Sequence, residues 1–166
     1  FTLTDESLRS FDSNFKMSPP LRTAADVDAI VAGIVDGTID CIATDHAPHA
    51  LEKKMLELDR APFGILGLET AVGLSVTRLV APGRIGWPRL IDAMSTIPSR
   101  ILGIDRGTLR PGAVADITVI DPNLSWKVDV ASFRSKSVNS PFHGWTLQGR
   151  AVATIVGGRV KYRLGQ

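Results

Sequence analysis

Asp45-His46-Ala47-Pro48-His49 gathers one carboxylate and two imidazoles into a single short stretch. Carboxylate oxygen and imidazole nitrogen are both good ligands for zinc and similar divalent cations. A carboxylate beside a cation-activated water can also take up that water's proton and pass it on. Pro48 stiffens the turn and would help to aim His49. The residues alone leave two readings open. One is a metal-dependent hydrolytic site; the other is an aspartate that caps its loop beside two solvated histidines.

The segments around this stretch have to position it. Residues 1–22 show little periodicity, and Pro19 and Pro20 favour an extended path. Thr23 and Asp26 have the spacing of a capping box, with Asp in place of Glu. Val27, Ile30, Val31, Ile34 and Val35 then recur at helical intervals, and Gly37 supplies a stop, so the spacing predicts an amphipathic helix over 24–36. The apolar run 39–44 reads as a strand buried on both sides, as in a parallel sheet. It ends directly in Asp45. In α/β barrels, chemistry collects at such C-terminal strand ends.

Residues 50–66 read as a long surface loop with one helical turn, and 68–80 as a second, well-packed helix. Pro88 suits the first turn of a third helix, whose inner side carries Leu90, Ile91 and Met94, while Pro98 begins another short turn. The composition changes near 105. Residues 115–121 read as a strand, and Gly157-Gly158 between two apolar runs reads as a hairpin with a type I′ turn. The expected organisation is therefore αβ material over 1–105 and a β-rich unit over 106–166.

Bulk properties narrow the function classes. Of the 166 residues, 44% are apolar and 22% charged, a profile of globular rather than disordered chains. A net charge of +2 without a basic run argues against nucleic acid or an acidic membrane surface as the main partner. No apolar stretch reaches the ~20 residues of a membrane span. The single cysteine, Cys41, excludes an intrachain disulfide and fits a reducing, cytoplasmic setting; its apolar surroundings suggest a packing role. Phe1 to Asp5 does not read as a signal peptide.

The motifs Thr44-Asp45-His46-Ala47-Pro48-His49 and Ala61-Pro62-Phe63-Gly64-Ile65-Leu66-Gly67-Leu68-Glu69-Thr70 resemble the signature pair of class I dihydroorotases, members of the amidohydrolase superfamily. Lys16-Met17-Ser18-Pro19-Pro20-Leu21-Arg22 resembles a third segment of that family. Gly107 to Asp116 resembles the entry into its C-terminal β unit. The resemblance implies the α/β fold class: the C-terminal part of a (β/α)8 TIM-type metal-dependent hydrolase barrel, with part of a small β-sandwich. It implies reversible hydrolysis of L-dihydroorotate to N-carbamoyl-L-aspartate, a step of pyrimidine biosynthesis, with one or two divalent ions, usually Zn2+.

By the same resemblance, Asp45 is the metal ligand and the proton shuttle. His49 binds the substrate carboxylate or ring carbonyl, and the backbones of Phe63 and Gly64 bind the ring. Ser18 stands where many relatives have Asn, a shorter hydroxyl in place of an amide and a candidate substrate contact; Asn14 is a weaker candidate. His46 lies beside the ligand without needing to touch the metal, and His143 reads as structural or exposed. A homodimer and an association with aspartate transcarbamoylase are the implied protein partners.

The sequence has no His-x-His pair, and its histidines are His46, His49 and His143. A lone aspartate cannot hold zinc, which takes three or four protein ligands. The expectation is a piece of a longer protein, inactive without the missing N-terminal part of the barrel. Two alternatives to dihydroorotase stand: a hydantoinase- or allantoinase-type enzyme, and a non-catalytic scaffold that binds aspartate transcarbamoylase.

Overall fold

A computed structural model describes residues 1–166. Short 3-10 turns at Asp5–Ser10 and Ser13–Phe15 lead into helix α1 (Ala24–Asp36). The predicted capping box is formed: the Thr23 hydroxyl accepts from the Asp26 amide, and the Asp26 carboxylate accepts from the Thr23 amide. The Thr23 hydroxyl also donates to the Asp26 carboxylate at 2.7 Å, and this bond, with that from the Thr23 amide, holds the Asp26 carboxyl below its usual pKa. Gly37 closes the helix at φ 87°, in the left-handed region. Val31 and Ile34 are buried, whereas Ile30 and Val35 are exposed.

The predicted strand at 39–44 is not formed. Ala43, Thr44 and Asp45 are exposed and Cys41 is only half-buried. A parallel strand needs neighbouring strands to pair with, and among these residues the segment has none; the Ile42 amide donates instead to the Ala93 carbonyl. Its one ladder-like contact comes just afterwards, where His46 and Ile65 form an isolated parallel bridge closed by the Ala47 amide on the Ile65 carbonyl. Side chains do some of the missing work. The Arg89 guanidinium donates to the carbonyls of Ile34, Ile39 and Asp40.

Helix α2 (Leu51–Lys54) is the single helical turn expected in the 50–66 loop. Helix α3 (Ala71–Ser75) begins later than predicted and runs on into a π-helical turn at Val76–Val80. Helix α4 (Trp87–Ile91) likewise continues through a π-helical turn at Asp92–Thr96 into α5 (Ile97–Ile101). Pro98 therefore lies inside a continuous helical rod instead of starting a separate turn. The wide turn just before it, with the Ile97 amide on the Asp92 carbonyl, shifts the hydrogen-bond register where proline has no N–H to give.

Strands β1 (Ile117–Lys127), β2 (Thr146–Val156) and β3 (Arg159–Arg163) form one antiparallel sheet in the order β1-β2-β3. The predicted first strand is extended past Pro122, because the register shifts between Asp121 and Ser125 and places the proline in a bulge. The Asp121 carboxylate holds that bulge by accepting from the Asn123 and Leu124 amides. Gly157 (φ 56°) and Gly158 (φ 76°) make the predicted hairpin turn.

Two clusters form the core. Val31, Ile34, Val76, Leu79, Ile85 and Leu90 join α1 to α3 and α4. Leu74, Val128, Phe142 and Leu147 join α3 to the β unit. Strand β2 lies so close on this helical rod that a Cβ on Gly149 would fall 2.7 Å from Val76 Cγ2.

Candidate active site

Asp45 follows the 39–44 segment and is exposed, with no hydrogen-bond partner in the protein. It borders an open depression of about 220 Å³ shared with Thr2, Leu3, Met17, Thr44 and Gly67. Its carboxylate is thus free to meet something from outside.

The two histidines beside it are engaged. His46 Nδ1 accepts from the Gly67 amide at 3.2 Å and from the Leu68 amide at 3.4 Å. A ring nitrogen that accepts carries no proton, so neutral His46 is protonated on Nε2 and has no second lone pair to offer a metal. His49 Nε2 lies 2.8 Å from the Phe63 carbonyl. A carbonyl can only accept, so His49 carries its proton there and keeps Nδ1 as the free nitrogen. No group of three or more metal-ligating side chains forms in the structure. Asp45 fits a cation as one ligand and does not make a complete site.

Phe63 and Gly64 are brought next to His49. Gly64 is needed for a close approach, but to the protein itself: at φ 114° a Cβ would sit 2.5 Å from Ala47 Cβ and 3.4 Å from His49 Nε2. The Gly64 amide donates to the Lys16 carbonyl, and its carbonyl accepts from Lys54 and Asn139. Among the backbone groups of these two residues, the Phe63 amide is the one without a protein partner. The Phe63 ring is exposed, with Lys16 Nζ 4.5 Å above its centroid. Ser18 is exposed and its hydroxyl is unpaired, two residues from Lys16. Met17 borders both the Asp45 depression and a larger groove containing Phe63. His143 is exposed, and its Nδ1 accepts from the Val130 amide.

Sequence reasoning missed the polar groups underneath. Lys54, in what reads as a charged surface run, is buried and donates to the carbonyls of Ser13 (2.6 Å), Pro62 (3.1 Å) and Gly64 (3.2 Å). Burial pushes its pKa down and neighbouring Lys16 adds to this, against the opposing charge of Asp12. Asn139, also buried, joins the two motif loops. Asn14 Oδ1 is buried without a partner beside a small cavity that Lys54, His49 and Asn139 also line. Asn14 is a weaker candidate from its sequence position, but nothing in the spacing of Lys54 or Asn139 marks them out. Each is an ordinary polar residue in a polar stretch, and only the fold buries it.

The amidohydrolase family model matches residues 11–161. A dihydroorotase of Geobacter sp. (strain M21) is 56% identical over 165 residues, which is 99% of this chain and 39% of that protein. A dihydroorotase of Pelotomaculum thermopropionicum is 58% identical over 160 residues, 96% of this chain and 38% of that protein. Among solved structures, an L-hydantoinase (dihydropyrimidinase) from Arthrobacter aurescens superposes with a TM-score of 0.92 at 32% identity, over 99% of this chain and 38% of that one. The chain therefore spans less than two-fifths of the length of the relatives it matches. Its fold class is α/β, part of the barrel architecture of these metal-dependent hydrolases with a β-rich unit attached. No helix is long and apolar enough to cross a membrane. On the family match and the superposition together, the chain belongs to the amidohydrolase family.

Proposed function

We propose that the protein containing this chain is a dihydroorotase, and that Asp45 is its catalytic carboxylate and one of its metal ligands. The observation that carries the reading is the state of Asp45. It is the unpartnered carboxylate at the mouth of an open depression, one turn from His49, in a chain 56% identical to a dihydroorotase. The remaining ligands would come from parts of the protein outside these residues.

The reaction adds water across a ring amide. The carbonyl carbon gains the water oxygen, its bond to nitrogen breaks, and that nitrogen gains a proton. A bound divalent ion, Zn2+ in our reading, polarises the carbonyl and makes the water more acidic. Asp45 accepts the proton that the water loses and returns it to the leaving nitrogen; ring closure runs the same transfers backwards. The Phe63 amide, free of protein partners, donates to the substrate ring. Gly64 has spent its amide on Lys16, so its part is to let the loop pass Ala47. His49 reaches a substrate carboxylate as a donor only by releasing Phe63 or by protonation at Nδ1. Ser18, exposed and unpaired, is available as a further contact.

We place the unit boundary near 105, dividing barrel material (1–105) from the β unit (106–166): the last helix of the barrel part ends at Ile101 and the first strand starts at Ile117. A cytoplasmic homodimer, with aspartate transcarbamoylase as a further partner, completes the reading. The full-length protein should hydrolyse dihydroorotate in preference to hydantoin and allantoin. A preference for hydantoin would instead support the hydantoinase alternative.

A further inference from the structure

Asn139 is 3% exposed and makes an unusual set of contacts for one side chain. Its Oδ1 accepts from the His49 amide at 3.1 Å. Its Nδ2 donates to the Ala47 carbonyl at 2.9 Å and to the Gly64 carbonyl at 3.3 Å. Its own backbone carbonyl accepts from the Leu66 amide at 3.0 Å. One residue thus ties the Asp45–His49 turn to the Phe63–Gly64 loop, although it lies some 75 to 92 positions further along the chain.

The chemistry of the site explains why this residue is an amide. The two loops present one N–H and two C=O groups to a dry space, and buried polar groups without partners are costly. Asn offers an acceptor and two donors on one planar group, which satisfies all three. Asp has the same shape but no donor when ionised, and Leu has neither function. Lys54 holds the Gly64 carbonyl from the other side, but it does not touch the Asp45–His49 turn.

From this we infer that Asn139 is a positioning residue: it acts from the C-terminal unit to fix the spacing between His49 and the Phe63–Gly64 loop, and so the substrate contacts that our dihydroorotase reading gives them. Misplacement of such contacts by about 1 Å can cost up to ~100-fold in rate. Asn139 bonds His49, Ala47 and Gly64 and does not touch Asp45, so the loss should fall mainly on KM.

The test uses the full-length protein with Asn139→Asp and Asn139→Leu, the first isosteric in case the second folds poorly. Hydrogen–deuterium exchange should rise in segments 45–49 and 61–66 and stay unchanged in α1. KM for dihydroorotate should rise about tenfold with kcat within about threefold of the parent. The KM penalty of His49→Ala should shrink in the Asn139→Asp background, because the two changes act on the same contact. A lower melting temperature with both loops still protected, KM unchanged or the two penalties additive would overturn the inference. If the parent protein does not turn over dihydroorotate at all, the proposed function fails, and the exchange pattern alone still decides whether Asn139 holds the loops.

Discussion

Two regions of this chain have the composition of strands, and they end differently. Residues 117–127 and 146–156 pair with each other into a twisted ribbon, extended by Arg159–Arg163 through a two-glycine turn. Residues 39–44, just as rich in β-formers, form no strand and are held instead by a guanidinium and by the Ile42 amide on the Ala93 carbonyl, with one isolated bridge following. The difference lies in the supply of partners and not in propensity. β2 finds β3 across two residues and β1 a few turns away, whereas a buried parallel strand needs neighbours brought by crossovers. The carboxylate proposed as catalytic follows directly on the 39–44 stretch. Asp45, like Ser18, has no protein partner, whereas Asn139 holds His49 and, together with Lys54, Gly64.

The largest expected effect separates the two regions functionally. Asp45 has no hydrogen bond within this chain to lose, so Asp45→Asn should leave the melting curve of the metal-free full-length protein where it was while lowering kcat of the metal-loaded protein by about 10³-fold, the scale of removing a general acid–base group. Steady-state rates with dihydroorotate and a thermal melt decide it. Activity within tenfold of the parent would remove Asp45 from the mechanism.

In the paired region the opposite balance holds, with a large change in stability and little in chemistry. Gly149 sits at φ 81° with Val76 side-chain atoms 2.7 to 2.8 Å from where a Cβ would be. Gly149→Ala should cost about 3 kcal/mol, combining left-handed strain with overpacking against α3. Denaturant midpoints would show it, and an unchanged midpoint would mean that β2 is not seated on the helix. Next in size is Arg89→Ala, which strips three carbonyls on Ile34, Ile39 and Asp40 of their donor. About 2 kcal/mol is expected, since hydrogen bonds to charged groups are worth ~1.5–3 kcal/mol each and this one is partly solvated. Arg89→Lys should recover only part of it, because an ammonium cannot reproduce the fork. Faster amide exchange over 39–45 in Arg89→Ala, with the hairpin unaffected, would confirm that a side chain is standing in for a strand.

Legibility in the sequence follows the same division. Helix α1, its capping box and its glycine stop are local features, and all three read correctly from Thr23, Asp26 and Gly37. So did the Gly157-Gly158 turn. The errors arose where a distant partner decides: the unformed strand at 39–44, and Pro98, absorbed into a helical rod by a π turn. In the site, the motif residues stood out by type and spacing. Asn139 and Lys54 did not, since what sets them apart is burial against carbonyls from remote segments. The motif marks Gly64 as a site residue, but not Ala47 as what demands a glycine there.

The smallest effect tests the paired region at its most local point. Gly157 and Gly158 both have positive φ, and a Cβ on either would meet open space. Substitution there carries backbone strain and no clash, so Gly157→Ala should cost about 1 kcal/mol, the lower end for one residue held in the left-handed region. The difference from Gly149→Ala then isolates the packing part of the latter, because both positions share the strain and only one has Val76 behind it. Gly157→Asn should recover much of the loss, since Asn tolerates this conformation better than Ala. Denaturant midpoints of the three variants measure this directly. Equal losses at 149 and 157 would show that conformation alone fixes the glycines of β2, and that the sheet's grip on α3 contributes little.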